Sequence, residues 1–293
     1  MPATISIIIC TYKREALLRS CLESLNKVDL SGTEVIVVNN DADNKLQMVA
    51  REFPDARFVQ EPNLGLSYAR NKGTSESTGE WLFYMDDDAL IQHNTISEIH
   101  KTLEGFDFQF FTGVWKAWYK TPQPKWLPYS TGNYIVKGDQ TIRAIGDDYV
   151  SGGVMIIKKS LLDKVGGFPT HLGMAGNKVA YGEESYVEQK VKDLGYTVGI
   201  NPNIAIDHLV GKHKYKLQWH LDAAYAKGRD GQLITPKSFL SRVWSLITTT
   251  LFSWVKPLVK LVIRKGFYWQ NFIIDYAGNI NFALGYLRSS RRD

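Results

Sequence analysis

The sequence predicts an α/β fold, a mainly parallel central sheet flanked by helices. Three observations predict it. Short apolar, β-branched runs recur through residues 5–85, and segments with helical spacing lie between them. Clusters of charged and amide side chains follow these runs at 11–14, 39–43 and 86–88. Strands that alternate with helices at this spacing form parallel sheets covered on both faces. Ligands of such sheets bind at the carboxyl ends of the strands, so the three polar clusters should converge.

"ISIIIC" (5–10) is the first strand. "KREALLRSCLESLNK" (13–27) places Leu17, Leu18, Cys21, Leu22 and Leu25 at helical spacing. "EVIVVNN" (34–40) is the second strand, followed by turn residues 39–44. "ARFVQEP" (56–62) is a weaker third strand, "LGLSYARNKGTSEST" (64–78) a helix ending in a polar turn, and "WLFYM" (81–85) the fourth strand. From residue 106 the pattern changes. "FDFQFFTGVW" (106–115) reads as a strand, while "KAWYKTPQPKWLPYSTGN" (116–133) is aromatic, proline-rich and aperiodic, as in a long loop over a site. "YVSGGVMIIKK" (149–159) is a strand. "GEESYVEQKVKDLGY" (182–196) is a helix with Glu183 and Glu184 in its first turn, and "TVGINPNIAIDHL" (197–209) is extended, with His208 near its end.

Composition narrows the class. Hydrophobic residues make up 44% and charged residues 22%, which suits a folded chain with a real core. Cys10 and Cys21 are the two cysteines; they make neither a disulfide framework nor a zinc ligand set, so a reducing compartment is expected. The N-terminus lacks a basic segment before its apolar run and a small-residue cleavage site, so no signal peptide is read there. Residues 231–293 hold nine Lys/Arg and two acids, a net +7, against −2 for the remainder. The same tail carries Trp244, Trp254, Trp269 and eight Phe/Tyr. A basic, aromatic tail fits a membrane surface or an anionic partner, and it also fits a helical cap on the body. It contains no run of ~20 uncharged apolar residues, the length that spans a bilayer. No recognition motif supports nucleic-acid binding.

The segment "YMDDDAL" (84–90) sets Asp86, Asp87 and Asp88 at a strand end. In an extended backbone, Asp86 and Asp88 point to the same side. Such a pair suits a hard divalent cation, Mn2+ or Mg2+; a solvated acidic turn capping the next helix is the other reading.

With "SIIICTYKRE", "VIVVNND", "NLGLSYARNKG", "FYMDDDAL", "SGGVMIIKKSLLDKVGGF", "YGEESYVEQKVKDLGY" and "IDHLVGKHK" in this order, the chain resembles family 2 glycosyltransferases of the GT-A fold over residues 4–220. The resemblance implies that Thr11, Tyr12 and Arg14 line a nucleotide pocket, with Lys13 in place of the commoner Asn. Asn40 or Asp41 falls where the family meets the base, and Asn39 stands where Asp is frequent. Asn63, Gly65, Arg70 and Asn71 match a segment near base and ribose. Asp86 and Asp88 match the Asp-x-Asp that holds the metal and contacts the ribose, so Asp86 and Asp87 fall beside the nucleotide, and His208 matches a late metal ligand. Glu184 takes the general base's place after Glu183, where the family usually shows Glu-Asp. Gly152, Gly153, Trp115 and Glu183 fall near the donor and acceptor sugars. Trp115, Trp118, Tyr119 and Trp126 either stack on a sugar ring or pack in the interior.

The resemblance thus implies an inverting, metal-dependent, hexosyltransferase-type glycosyltransferase. It would use Mn2+ or Mg2+ and move a sugar from a nucleotide donor, a UDP-sugar, to a saccharide or lipid-linked acceptor of surface polysaccharide synthesis. The expected organisation is a GT-A domain over 1–220, nucleotide-binding to about 105 and acceptor-binding over 106–220, then a membrane-associating helical segment over 221–293. The expected location is cytoplasmic, peripheral on the inner face of the membrane. A nucleotidyltransferase is the nearest rival, but "CTYKRE" lacks the glycines of a phosphate loop. A catalytically silent sugar-nucleotide-binding or glycan-binding protein would not need Asp86, Asp88, Glu184 and His208 together.

Overall fold

The computed structural model describes residues 4–41, 46–131 and 140–289. The last positions of the turn expected at 39–44 lie outside the described residues. The chain divides into two compact units.

The first unit comprises Met1–Lys116, Tyr134–His171 and Glu183–Leu209. Its strands are β1 (Ile5–Thr11), β2 (Thr33–Asn39), β3 (Ala56–Gln60), β4 (Trp81–Asp86), β5 (Ala89–Ile91), β6 (Phe110–Trp118, whose last two residues pass into the second unit), β7 (Arg143–Ala144), β8 (Val154–Lys158) and β9 (Val198–Leu209). Among the described residues they form one sheet in the order β3-β2-β1-β4-β8-β6-β9-β5, with β7 on β9. Its helices are α1 (Glu15–Leu25), α2 (Gln47–Glu52), α3 (Leu66–Glu76), α4 (Thr95–Gly105), α6 (Lys159–Lys164) and α7 (Glu183–Asp193); α5 belongs to the second unit.

Strand periodicity builds the two cores. Side chains alternate across a strand, so Ile5, Ile7, Ile9, Val35, Val37 and Phe83 join one cluster with Leu18, Leu22 and Leu25 of α1. Ile8, Ile36, Val38, Leu82 and Tyr84 join the other, with Val187 and Val191 of α7. The sheet is covered on both faces, as its unbroken apolar strands require.

The strand directions are mixed. β1 pairs with β2 and β4 in parallel, and β2 with β3. β8 runs antiparallel to β4 and β6, and β9 antiparallel to β5 and β7. The mainly parallel expectation therefore describes the half built from β1 to β4, and the other half is antiparallel. The strand read from 149 begins at Val154, after a turn through Gly152 and Gly153.

The second unit comprises Ala117–Asn133, Leu172–Gly182 and Val210–Asp293. It contains α5 (Leu127–Ser130), α8 (Leu217–Ile234), α9 (Phe239–Phe252), α10 (Val255–Ile263) and α11 (Trp269–Arg288). Trp126 is buried with Leu127 and Val210, edge-on to His220 at 5.5 Å. Of the two roles open to Trp126, the structure gives it the packing one. Pro257 falls in the first turn of α10, where its missing N–H costs nothing.

Candidate active site

Parallel neighbours end side by side, and this brings the polar clusters together. β1 and β4 are in register with Cys10 opposite Asp86. The next residues along meet: Thr11 Oγ1 donates to Asp87 Oδ2 at 2.7 Å. Arg14 Nη1 donates to Asp87 Oδ1 at 3.1 Å and to Asp88 Oδ2 at 3.2 Å. Lys13 Nζ lies 3.9 Å from Asp41. Lys13 adopts φ 56, a region that Asn tolerates better than Lys, which fits the family's preference for Asn at this position.

Asp87, expected beside the nucleotide, is buried and spent on Thr11 and Arg14. Burial and the charge of Asp88 push its carboxyl up to about 7, against the Arg14 guanidinium and the Thr11 hydroxyl. Its observed work is to tie β1 to the acidic turn.

Asn40 is also committed. Its amide donates to the carbonyls of Glu61 (3.1 Å) and Asn63 (2.7 Å), and its Oδ1 accepts from the Gly65 amide at 2.7 Å. These bonds fix the 61–65 loop. Gly65, at φ 150, then turns the chain into α3. Asp41 is buried beside Asn40, its amide bonded to Asn39 Oδ1. Asn63 stays exposed, as does Arg14 in part; Tyr12 is half-buried at the same end of the sheet.

The two outer acids meet β9. Ala89 pairs with His208 across β5 and β9, which sets His208 Nε2 3.4 Å from Asp86 Oδ2 and 3.2 Å from Asp88 Oδ1. One ligand atom from each of Asp86, Asp88 and His208 lies within 4.8 Å of the others. Despite the 3.2 Å approach, Asp88 Oδ1 is buried without a hydrogen bond. Burial raises the Asp86 carboxyl, but the hydrogen bond and charge of His208, with Arg70 and Arg14, hold it at about 2. Burial lowers the His208 imidazole, and the two carboxylates outweigh it, raising it to about 9. An imidazole drawn to two carboxylates and a buried oxygen lacking a donor both fit a divalent cation with oxygen and nitrogen ligands. Trp115 stacks obliquely on His208, ring centroids 5.5 Å apart, which holds the imidazole against the acids.

Gly153 lies under Asp86: a Cβ there would strike Asp86 Oδ2. At Gly152 a Cβ would stand 2.8 Å from Arg70 Nη2. The Gly152 carbonyl accepts from that nitrogen at 3.0 Å.

Arg70 departs from expectation. Matched to the base and ribose segment, its guanidinium is instead buried between the Tyr84 and Phe168 rings (5.9 and 5.4 Å). It donates to Glu183 Oε1 at 2.8 Å and lies 4.0 Å from Asp86 Oδ1. Asn71 exchanges two 2.8 Å hydrogen bonds with the Phe168 backbone. Phe168 and Tyr84 were not singled out from the sequence, although "GGF" and "FYMDDD" contain them. Burial and the Glu184 carboxylate push the Glu183 carboxyl up, while the Arg70 guanidinium at 2.8 Å pulls it the other way and favours the ionised form. Glu184 is less buried than Glu183, and its Oε2 has no hydrogen-bond donor.

The sequence profile described as "Glycosyl transferase family 2" matches residues 6–166, more than half of the chain. This chain belongs to glycosyltransferase family 2. Among its relatives, the "Succinoglycan biosynthesis protein ExoM" of Rhizobium meliloti is 25% identical over 257 residues, 83% of this chain and 79% of that one. The "Glucosyl-dolichyl phosphate glucuronosyltransferase" of Haloferax volcanii is 23% identical over 76% of this chain and 75% of its own. Among solved structures, the mannosyltransferase PcManGT of Pyrobaculum calidifontis, in complex with GDP-Man and Mn2+, has a TM-score of 0.66 at 17% identity, covering 98% of this chain and 88% of that one. S. aureus TarS 1-349 in complex with UDP has a TM-score of 0.54 at 16% identity, covering 93% and 90%. The likeness to these structures is one of fold, and the family 2 enzyme has the GT-A fold with a helical C-terminal part.

Proposed function

We propose that this glycosyltransferase inverts the anomeric carbon of a UDP-sugar while transferring the sugar to a saccharide or lipid-linked saccharide, in surface polysaccharide synthesis. The observation that carries the reading is the Asp86–Asp88–His208 cluster within 4.8 Å, joined through Arg70 to the Glu183–Glu184 turn. Relatives named for succinoglycan synthesis and for a dolichyl-phosphate acceptor support the acceptor class. Structures holding UDP or GDP-Man support a nucleotide donor.

Asp86, Asp88 and His208 would hold Mn2+ or Mg2+. When bound, the cation supplies positive charge against the departing nucleoside diphosphate. The chain's own groups do the rest. Glu184 accepts the acceptor hydroxyl's proton as that oxygen bonds the anomeric carbon and the bond to the diphosphate oxygen breaks. Arg70 holds Glu183 and the Gly152 carbonyl, so the helix start carrying Glu184 is fixed. Thr11 and Arg14 hold Asp87 and thereby the acidic turn. Asn40 holds the loop bearing Asn63. Tyr12, Arg14, Asp41, Asn63 and Gly65 contribute to the nucleotide side, and Gly152, Gly153 and Trp115 to the sugar side. In this reading the GT-A domain spans 1–220, with residues 221–293 bringing the enzyme to the inner face of the membrane.

A panel of nucleotide sugars, each with Mn2+ or Mg2+ and scored by free nucleotide, tests the reading. We expect slow, metal-dependent hydrolysis of a UDP-sugar without acceptor and faster release with one. Pyrophosphate release from nucleoside triphosphates, with no nucleotide sugar consumed, would overturn it in favour of nucleotidyl transfer.

A further inference from the structure

α9 and α10 expose an apolar stripe. Leu240, Trp244, Ile247 and Leu251 of α9 follow steps of four and three, and Leu258 and Val262 of α10 a step of four, in each helix the spacing of one face. All six are exposed, Leu240 and Val262 at 79% and Trp244 at 68%. No residue of α9 is buried. Phe239–Ile263 carries Arg242, Lys256 and Lys260 but no acid.

The opposite side of this limb is tied to α11. Arg242 Nη1 donates to the carbonyls of Tyr286, Leu287 and Ser289 at 3.1–3.3 Å, where a cation meets the negative end of α11. Lys260 pairs with Asp275 at 2.7 Å, and the Tyr276 hydroxyl reaches the Thr250 carbonyl at 3.4 Å. Phe239–Ile263 is 25 residues and is long and apolar enough to cross a bilayer by length and composition alone. Arg242, Lys256 and Lys260 interrupt it, so it holds no uncharged run of that length. Crossing would break the ties to α11 and carry Arg242 and Lys260 into hydrocarbon, which is costly. α9 by itself, 14 residues, reaches only about 21 Å of the ~30 Å core.

We infer that the outer face of α9 and α10 lies in the plane of an anionic phospholipid surface. The apolar stripe enters the boundary between headgroups and acyl chains, and Trp244 and Trp254 sit where indoles prefer to lie. Lys256 and Lys265, both exposed, meet the headgroup charge. The +7 of residues 231–293 matches a negative lipid rather than a neutral protein groove. This deepens the peripheral-membrane part of the proposed function.

Flotation of the full chain with phosphatidylglycerol-containing vesicles tests the inference, beside pure phosphatidylcholine vesicles and the variant Trp244→Ser/Val262→Ser. Both substituted side chains are exposed, so folding is spared; donor hydrolysis on the same preparations reports the transfer site separately. We expect recovery with anionic vesicles, weak recovery with neutral ones, release by alkaline carbonate, and a loss on the order of tenfold in the variant. Equal recovery of variant and parent, no recovery with anionic vesicles, or resistance to carbonate would overturn it. So would a stable dimer that the variant converts to monomer without any vesicle binding, since the stripe would then cover a second copy.

Discussion

Arg70 and Glu183 form a buried ion pair, with Nη1 and Oε1 2.8 Å apart and side chains only 3% and 6% exposed. They are 113 residues apart in sequence. The pair connects the helix start that carries Glu184 to the strand end that carries Asp86.

Removing one partner leaves an uncompensated buried charge. Arg70→Met should destabilise the protein by about 3–5 kcal/mol. Arg70→Met/Glu183→Leu should recover much of that loss while transfer remains low, because Glu184 is no longer fixed. Urea unfolding and turnover of the two variants check both parts. Full transfer in the double variant would show that the pair serves stability alone.

Gly153→Ala places a methyl group against Asp86 Oδ2. The carboxylate must turn away from His208 and Asp88. Mn2+ affinity should fall about 10–100-fold, the usual weight of a disturbed supporting shell, with little change in melting temperature. Titration calorimetry with Mn2+ in the presence of UDP measures it.

Asp88→Ala removes the buried oxygen that lacks a donor together with the Arg14 contact. Metal-dependent UDP binding should be lost. UDP affinity equal to that of the parent, with and without EDTA, would remove Asp88 from the metal site.

Much of this arrangement was legible in the sequence, for physical reasons. Long apolar runs such as "ISIIIC" and "EVIVVNN" can hardly be anything but buried strands, and they are β1 and β2. α4 was missed because its buried face is thin, two Ile and two Thr, and β5 because three residues carry no period. Strand direction was not legible beyond β4, since an apolar run reads alike in parallel and antiparallel pairs. Asp86, Asp88 and His208 stood out by spacing and order. The inward turns of Asn40, Asp87 and Arg70 did not, because they depend on partners such as Asn63, Thr11 and Glu183 that only the folded chain supplies.

Glu34 provides a pH test remote from the site. Burial raises its carboxyl, but hydrogen bonds from Ser6 (2.6 Å), Thr78 and Gly79 outweigh this and hold it below the usual range. A carboxyl lowered on folding stabilises the protein above its unfolded pKa, about 4.3. That stability is lost as pH falls through the lower folded value. Glu34→Gln should therefore be less stable than the parent at neutral pH, and the difference should shrink below about pH 4. Thermal melts across that range would show it; a constant difference would contradict it.

Glu184→Gln tests the central claim most directly. The substitution keeps the side chain's shape and removes its ability to take a proton. With a metal, a UDP-sugar and an acceptor, transfer should fall by a factor on the order of 10²–10⁴, the weight of general-base catalysis, while UDP affinity stays near that of the parent. Glu183→Gln retains an acceptor oxygen for Arg70 and should be milder. Near-normal transfer in Glu184→Gln, beside an inactive Glu183→Gln, would contradict the account and move the base to Glu183.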